Sequence, residues 1–123
     1  MEMSGNQFYK TQSISTMTQG ELLMLLYDEL IKRLTRAELA LQKEDFELFE
    51  ASIIRSKEIV RYLDDTLDPK FEISRELHRL YDYFEYSLNR VQFGRNAELL
   101  GQIKPQLNEL RETFRQAQKV GGV

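Results

Sequence analysis

The single histidine, His78, is the residue of this chain best suited to proton transfer or metal binding near neutral pH. It lies in the stretch SRELHRL, where Glu76 is two positions before it. The di-metal motif of helical bundles instead places a Glu three positions before the His. We therefore expect His78 to be a solvated surface residue, with no metal and no cofactor bound.

The other residue types that could catalyse a reaction lack the neighbouring groups that catalysis requires. No histidine accompanies the serines, and no glycine-rich loop is present to hold a phosphate. The acidic residues at 44–47 and those at 64, 65 and 68 do not follow the ligand order of a calcium loop, and they are better explained as helix-end charges. The sequence therefore predicts a protein that is not an enzyme.

The composition indicates which classes of partner and which cellular compartment to expect. The net charge is −3 with both signs interspersed, so no basic surface for nucleic acid is expected. The chain has no cysteine, which fits a reducing cytoplasm. Its longest apolar run, residues 22–27, is far shorter than the ~20 residues of a membrane span, so no membrane insertion is expected.

Four segments with apolar residues at spacings of three and four predict four amphipathic helices. Thr18 and Glu21 form a capping box before the first helix, and Asp45 is the predicted N-cap of the second. Gly94 is predicted to close the third helix in a left-handed conformation, and Asn96 to cap the fourth.

Four such helices joined by short turns predict an all-α antiparallel four-helix bundle. Residues 18–120 are expected to be one domain, after a flexible segment at 1–17. Pro105 lies within the fourth helix, so we expect either a bend there or a short extra helical element. The predicted core stripe of the third helix is Ile73, Leu77, Leu80, Phe84, Leu88 and Val91.

The stretch LYDYFEYSL at 80–88 places aromatic rings on two sides of the third helix. On a helical wheel Tyr81 and Phe84 fall on the core side. Tyr83 and Tyr86 fall on the opposite side, together with arginines. Tyrosine beside arginine is typical of protein interfaces, so Tyr83 and Tyr86 are candidate partner contacts, although they could also be ordinary half-exposed side chains.

The first two helices also carry more apolar residues than one core stripe needs. LLMLLY at 22–27 is apolar on every side. Leu25 within this run and Ile31 after it therefore fall outside the stripe. On the second helix Ile59 and Tyr62 lie off the predicted core arc. A contiguous surface of surplus apolar residues is typical of a partner-binding groove. The equal alternative is that these residues are buried under the N-terminal segment or in a homodimer.

Several stretches resemble the flagellar secretion chaperones, which bind flagellin in the bacterial cytoplasm. The most specific are TQGELLMLLYDELIKRL at 18–34 and LYDYFEYSL at 80–88, with further likeness at Tyr9, in TQSIST at 11–16 and in the second and fourth helices. Two departures are PKFE at 69–72, where the family usually has a glycine-containing turn, and Phe114, where Trp is common.

The resemblance implies a compact helical bundle that binds the C-terminal, helix-forming region of flagellin. Such a chaperone prevents premature polymerisation in the cytoplasm and assists export, with components of the flagellar export machinery as further partners. It also implies that the N-terminal segment, with Tyr9, can cover the apolar binding surface or contact the partner. A monomer or a weak homodimer is expected, and the alternative is a homo-oligomeric structural or adaptor bundle with no export role.

Overall fold

The computed structural model describes residues 17–119, which fold into four α-helices. These are α1 (Gln19–Gln42), α2 (Phe46–Asp65), α3 (Ile73–Gly94) and α4 (Ala97–Lys119). Neighbouring helices run antiparallel. Between α4 and α1, for example, Lys104 bonds to Glu38 and Arg111 to Asp28, so residue numbers increase in opposite directions along the two helices. This confirms the predicted four-helix bundle. The segment predicted at 1–17 lies almost wholly outside the described residues.

Three of the helices begin at the predicted N-caps. In each case the side-chain oxygen accepts a hydrogen bond from the backbone N–H three residues later, at 3.1 Å for Thr18, 3.2 Å for Asp45 and 3.0 Å for Asn96. Each bond satisfies one of the free N–H groups at a helix start. These caps were predictable because they depend only on residues close in sequence.

The end of α3 differs from its prediction by one residue. Gly94 is still helical, and Arg95 adopts the left-handed conformation with φ 46° and ψ 48°. That conformation costs a residue with a side chain about 1–2 kcal/mol. The Arg95 guanidinium lies 3.7 Å from the ring centroid of Phe46, so a cation–π contact with the start of α2 offsets the cost.

Pro105 does not divide the fourth helix. Within the described residues α4 is continuous from Ala97 to Lys119, so the extra helical element is not formed there. Proline lacks the N–H that would bond to the carbonyl four residues earlier, so the helix loses one hydrogen bond at this position. Pro105 itself is exposed, which keeps its ring away from the core.

The core lies between the four helices and includes a buried pair of tyrosine hydroxyl groups. The hydroxyls of Tyr27 on α1 and Tyr81 on α3 are 2.5 Å apart, and both residues are almost fully buried. Burial raises the pKa of both phenols, so both stay neutral in the physiological range. Phe114 of α4 stacks on Tyr27 with 5.6 Å between ring centroids. Tyr27 thus contacts both Tyr81 and Phe114 and connects α1, α3 and α4 at one level of the bundle.

The expectation that Ile59 lies off the core is wrong, since only 2% of its surface is exposed. Lys57 and Arg61, which bond to side chains of α3, occupy the opposite side of the helical wheel. Ile59 therefore lies on the side of α2 that packs towards α1. A helix between two neighbours buries a wider arc than the single stripe assumed from the sequence.

The outer faces of the bundle are charged, as in the ion pair of Arg61 with Glu85 at 2.7 Å. Among residues 17–119, no helix combines the length and the hydropathy that a membrane span requires.

Candidate partner-binding surface

Helices α3 and α4 separate as they leave the turn at 95–96. Close to the turn, Val91 of α3 and Leu100 of α4 are fully buried. Farther away, Leu80 of α3 is 40% exposed, and Leu110 and Phe114 of α4 are only partly buried. On the sides of α3 and α4 that face each other, burial thus falls with distance from the turn. An open groove lies between their distant ends.

We call this depression the α3–α4 groove. Its apolar part consists of Leu80 and Phe84 from α3 and Leu110 from α4, and its polar rim comes from α4: Gln106, Asn108, Glu109, Glu112 and Thr113. Apolar side chains flanked by a polar rim are the usual composition of a groove that accepts an amphipathic helix.

The prediction that Leu80 and Ile73 belong to the core of α3 is wrong. Leu80 is 40% exposed and Ile73 is 57% exposed. Both lie on the side of the helical wheel that Phe84 shares, facing α4. Because α4 lies farther from α3 at this level, the side of α3 that is buried at Val91 near the turn is exposed at Leu80 and Ile73.

The outer side of α3 carries an aromatic face made of Tyr83, Tyr86 and Phe93. These side chains are 42%, 65% and 80% exposed. The Arg90 guanidinium lies 6.0 Å from the ring centroid of Tyr86, the outer limit of a cation–π contact. The rings of Tyr83 and Phe84 are 5.3 Å apart, so the aromatic face and the groove share a border.

The structure places the predicted contact residues in different environments. Tyr83 and Tyr86 are exposed together on α3, and Tyr62 is 47% exposed on α2. Leu25 and Ile31 are partly buried on α1, and Ile31 packs against the core. Tyr9 lies outside the described residues. Partner binding by these residues stays a prediction, and of them Tyr83 adjoins the groove through its contact with Phe84.

Sequence reasoning missed Leu80, Leu110 and Phe93 as surface residues. Phe93 could have been found, because it follows Tyr86 by seven residues and therefore shares its face of α3. Leu80 and Leu110 gave no such signal, since their exposure depends on how far α4 diverges from α3.

One group of side chains within residues 17–119 has the composition of a metal-ligand set: Asp64, His78 and Asp82. His78 is exposed, as expected, but it is not isolated. Its Nδ1 lies 2.6 Å from Oδ1 of Asp64 on α2, and its Nε2 lies 3.3 Å from Oδ2 of Asp82, four residues along α3. The hydrogen bond to Asp64 raises the pKa of His78, and the charges of Asp64 and Asp82 raise it further.

Comparison with known proteins adds to the geometry. The family model described as "Flagellar protein FliS" matches residues 1–121, almost the whole chain. A curated relative, the flagellar secretion chaperone FliS of Bacillus subtilis (strain 168), is 27% identical over 109 residues, which cover 89% of this chain and 82% of the relative. The matched region includes all four helices, the α3–α4 groove and the outer aromatic face. This chain therefore belongs to the flagellar protein FliS family.

Proposed function

We propose that this protein is a flagellar export chaperone that binds the C-terminal, helix-forming region of flagellin in the bacterial cytoplasm. Binding covers a segment that would otherwise polymerise before export, and the complex is then delivered to the export machinery. Membership of the FliS family and the name of the Bacillus subtilis relative, a flagellar secretion chaperone, support the export role. The resemblance of residues 18–34 and 80–88 to flagellin-binding chaperones points to flagellin as the cargo.

The observation that carries the proposal is the α3–α4 groove with its aromatic border. A helix-forming segment that is disordered when free can bury its apolar face against Leu80 and Leu110, above the buried ring of Phe84. Tyr83 at the edge of the groove and the exposed Tyr86 on the same helix offer large ring surfaces that lose little side-chain entropy on binding. The site thus supplies an apolar contact area with polar side chains along its rim. Recognition of an amphipathic chain requires both.

Titration of a flagellin C-terminal peptide into the full chain tests the proposal. Calorimetry should give saturable binding, and circular dichroism should show more helix in the mixture than in the separate components, because the peptide folds as it binds. In light-scattering assays, the full chain should also delay polymerisation of flagellin. A peptide that neither binds nor gains helix, together with unchanged polymerisation, would contradict the proposal.

The rival function is a homo-oligomeric bundle, and exposed apolar residues away from the groove favour it. Leu39 on α1 and Leu48, Ile54 and Tyr62 on α2 are each between 41% and 50% exposed. Sedimentation over a range of protein concentrations separates the two functions. A tight dimer that persists when the flagellin peptide is added would favour the rival, whereas a monomer or a weak dimer that the peptide dissociates favours the chaperone.

A further inference from the structure

The side chains around His78 are arranged as they are in histidine-containing metal sites. Asp64 projects from the end of α2 and accepts a hydrogen bond from Nδ1 of His78. Histidines that bind metals commonly donate one ring N–H to a carboxylate, which fixes the ring and leaves the other nitrogen free to coordinate. Asp64 is the least exposed of the three side chains at 15%, so it is the member whose position is most constrained.

The other ring nitrogen faces Asp82 at a suitable distance. Nε2 of His78 and Oδ2 of Asp82 are 3.3 Å apart. In a tetrahedral site with metal–ligand bonds of about 2.0–2.2 Å, adjacent ligand atoms are separated by about 3.4 Å. The spacing of four residues on α3 places both side chains on one face of the helix, one turn apart. A metal ion could therefore bridge these two atoms without a change in the backbone.

We propose that His78 Nε2 and the Asp82 carboxylate bind a divalent transition-metal ion of the zinc class, with Asp64 orienting the imidazole. One nitrogen and one oxygen ligand suit zinc, nickel or cobalt, whereas magnesium and calcium prefer sets made of oxygen alone. The side chains of His78 and Asp82 are 52% and 60% exposed, so water can complete the coordination. The inference is independent of flagellin binding.

A bound ion would strengthen the link between α2 and α3. Asp64 belongs to α2, while His78 and Asp82 belong to α3, and residues 66–72 connect the two helices. A bound ion would make the imidazole N–H that Asp64 accepts more acidic than it is in the neutral ring, which would strengthen that cross-helix bond. The expected consequence is a higher melting temperature in the presence of the metal.

Protons compete for the same nitrogen. Asp64 from α2 and Asp82 from α3 are the charged groups facing His78, and both favour the imidazolium form. Because a metal binds only the neutral imidazole, affinity for the ion should fall as the pH is lowered through the neutral range. Such a pH dependence would be absent from a site made only of carboxylates, which stay ionised over this range.

Calorimetric titration of Zn²⁺ into the full chain, prepared without a polyhistidine tag and stripped of metals, tests the proposal. With one histidine and no cysteine in the sequence, histidine-dependent binding can come only from His78. We expect one saturable site, and at least a tenfold loss of affinity in His78→Gln and in Asp82→Asn. The matched control is Asp65→Asn, which removes the same charge next to the site and should leave the affinity unchanged.

Three results would overturn the proposal: no saturable binding at millimolar Zn²⁺, unchanged affinity in His78→Gln, or equal binding of Mg²⁺ and Zn²⁺. Circular dichroism of each variant checks that the bundle is intact. Asp82 is exposed and on the outside of α3, so Asp82→Asn keeps the test decisive even if His78→Gln is less stable.

Discussion

Leucine 80 is the residue at which binding to the α3–α4 groove can be measured with the least effect on folding. Leu80 is 40% exposed in the free protein. Burying a whole leucine side chain contributes about 1.5–3 kcal/mol, so covering the exposed 40% by a bound helix contributes about 0.6–1.2 kcal/mol. Leu80→Ala should therefore weaken binding of the flagellin C-terminal peptide roughly three- to eightfold.

Leu48→Ala is the matched control, because Leu48 is 46% exposed on α2 and away from the groove. Both variants lose the same atoms from similarly exposed positions, so their unfolding free energies in urea should fall by similar amounts. Calorimetric titration of the wild type and both variants then isolates the contribution of the groove. Equal affinities for Leu80→Ala and Leu48→Ala would refute the assignment of the groove as the binding site.

Three further predictions concern the aromatic residues. Tyr83→Ala combined with Tyr86→Ala should weaken peptide binding by more than about 1 kcal/mol with a nearly unchanged melting temperature, and unaltered calorimetric affinity would exclude these exposed rings as contacts. Phe84→Ala should lower the unfolding free energy by about 3–5 kcal/mol in urea denaturation because the ring is 1% exposed, and a loss below about 1 kcal/mol would contradict its place in the core. Tyr27→Phe and Tyr81→Phe should each cost about 1–3 kcal/mol by leaving one buried hydroxyl unpaired, while the double variant should cost less than their sum; additive losses would rule out the hydrogen bond.

Local features of the fold could be predicted from the sequence. The caps at Thr18, Asp45 and Asn96 depend on a backbone N–H three residues away, and the four helices follow from apolar periodicity. The end of α3 was misplaced by one residue because Gly94 is the usual choice for a left-handed cap. The contact between Arg95 and Phe46, which offsets the strain at Arg95, joins residues far apart in sequence.

The shape of the candidate site depended on information that a helical wheel lacks. A wheel assigns Leu80 and Val91 to the same side of α3, but only the path of α4 decides that Val91 is buried and Leu80 is not. Ile59 was misassigned for the opposite reason, since α2 is covered on two sides. The pairing of His78 with Asp64 crosses from α3 to α2, whereas Asp82, four residues after His78, could have been recognised from spacing alone.

Amide hydrogen exchange of the full chain, free and saturated with a flagellin C-terminal peptide, tests the central claim most directly. If the peptide occupies the α3–α4 groove and contacts Tyr83 and Tyr86, added protection should be greatest in residues 80–86 of α3 and 106–114 of α4, which carry these contact residues. Added protection confined to α1 and α2, with exchange in these two segments unchanged, would contradict the account.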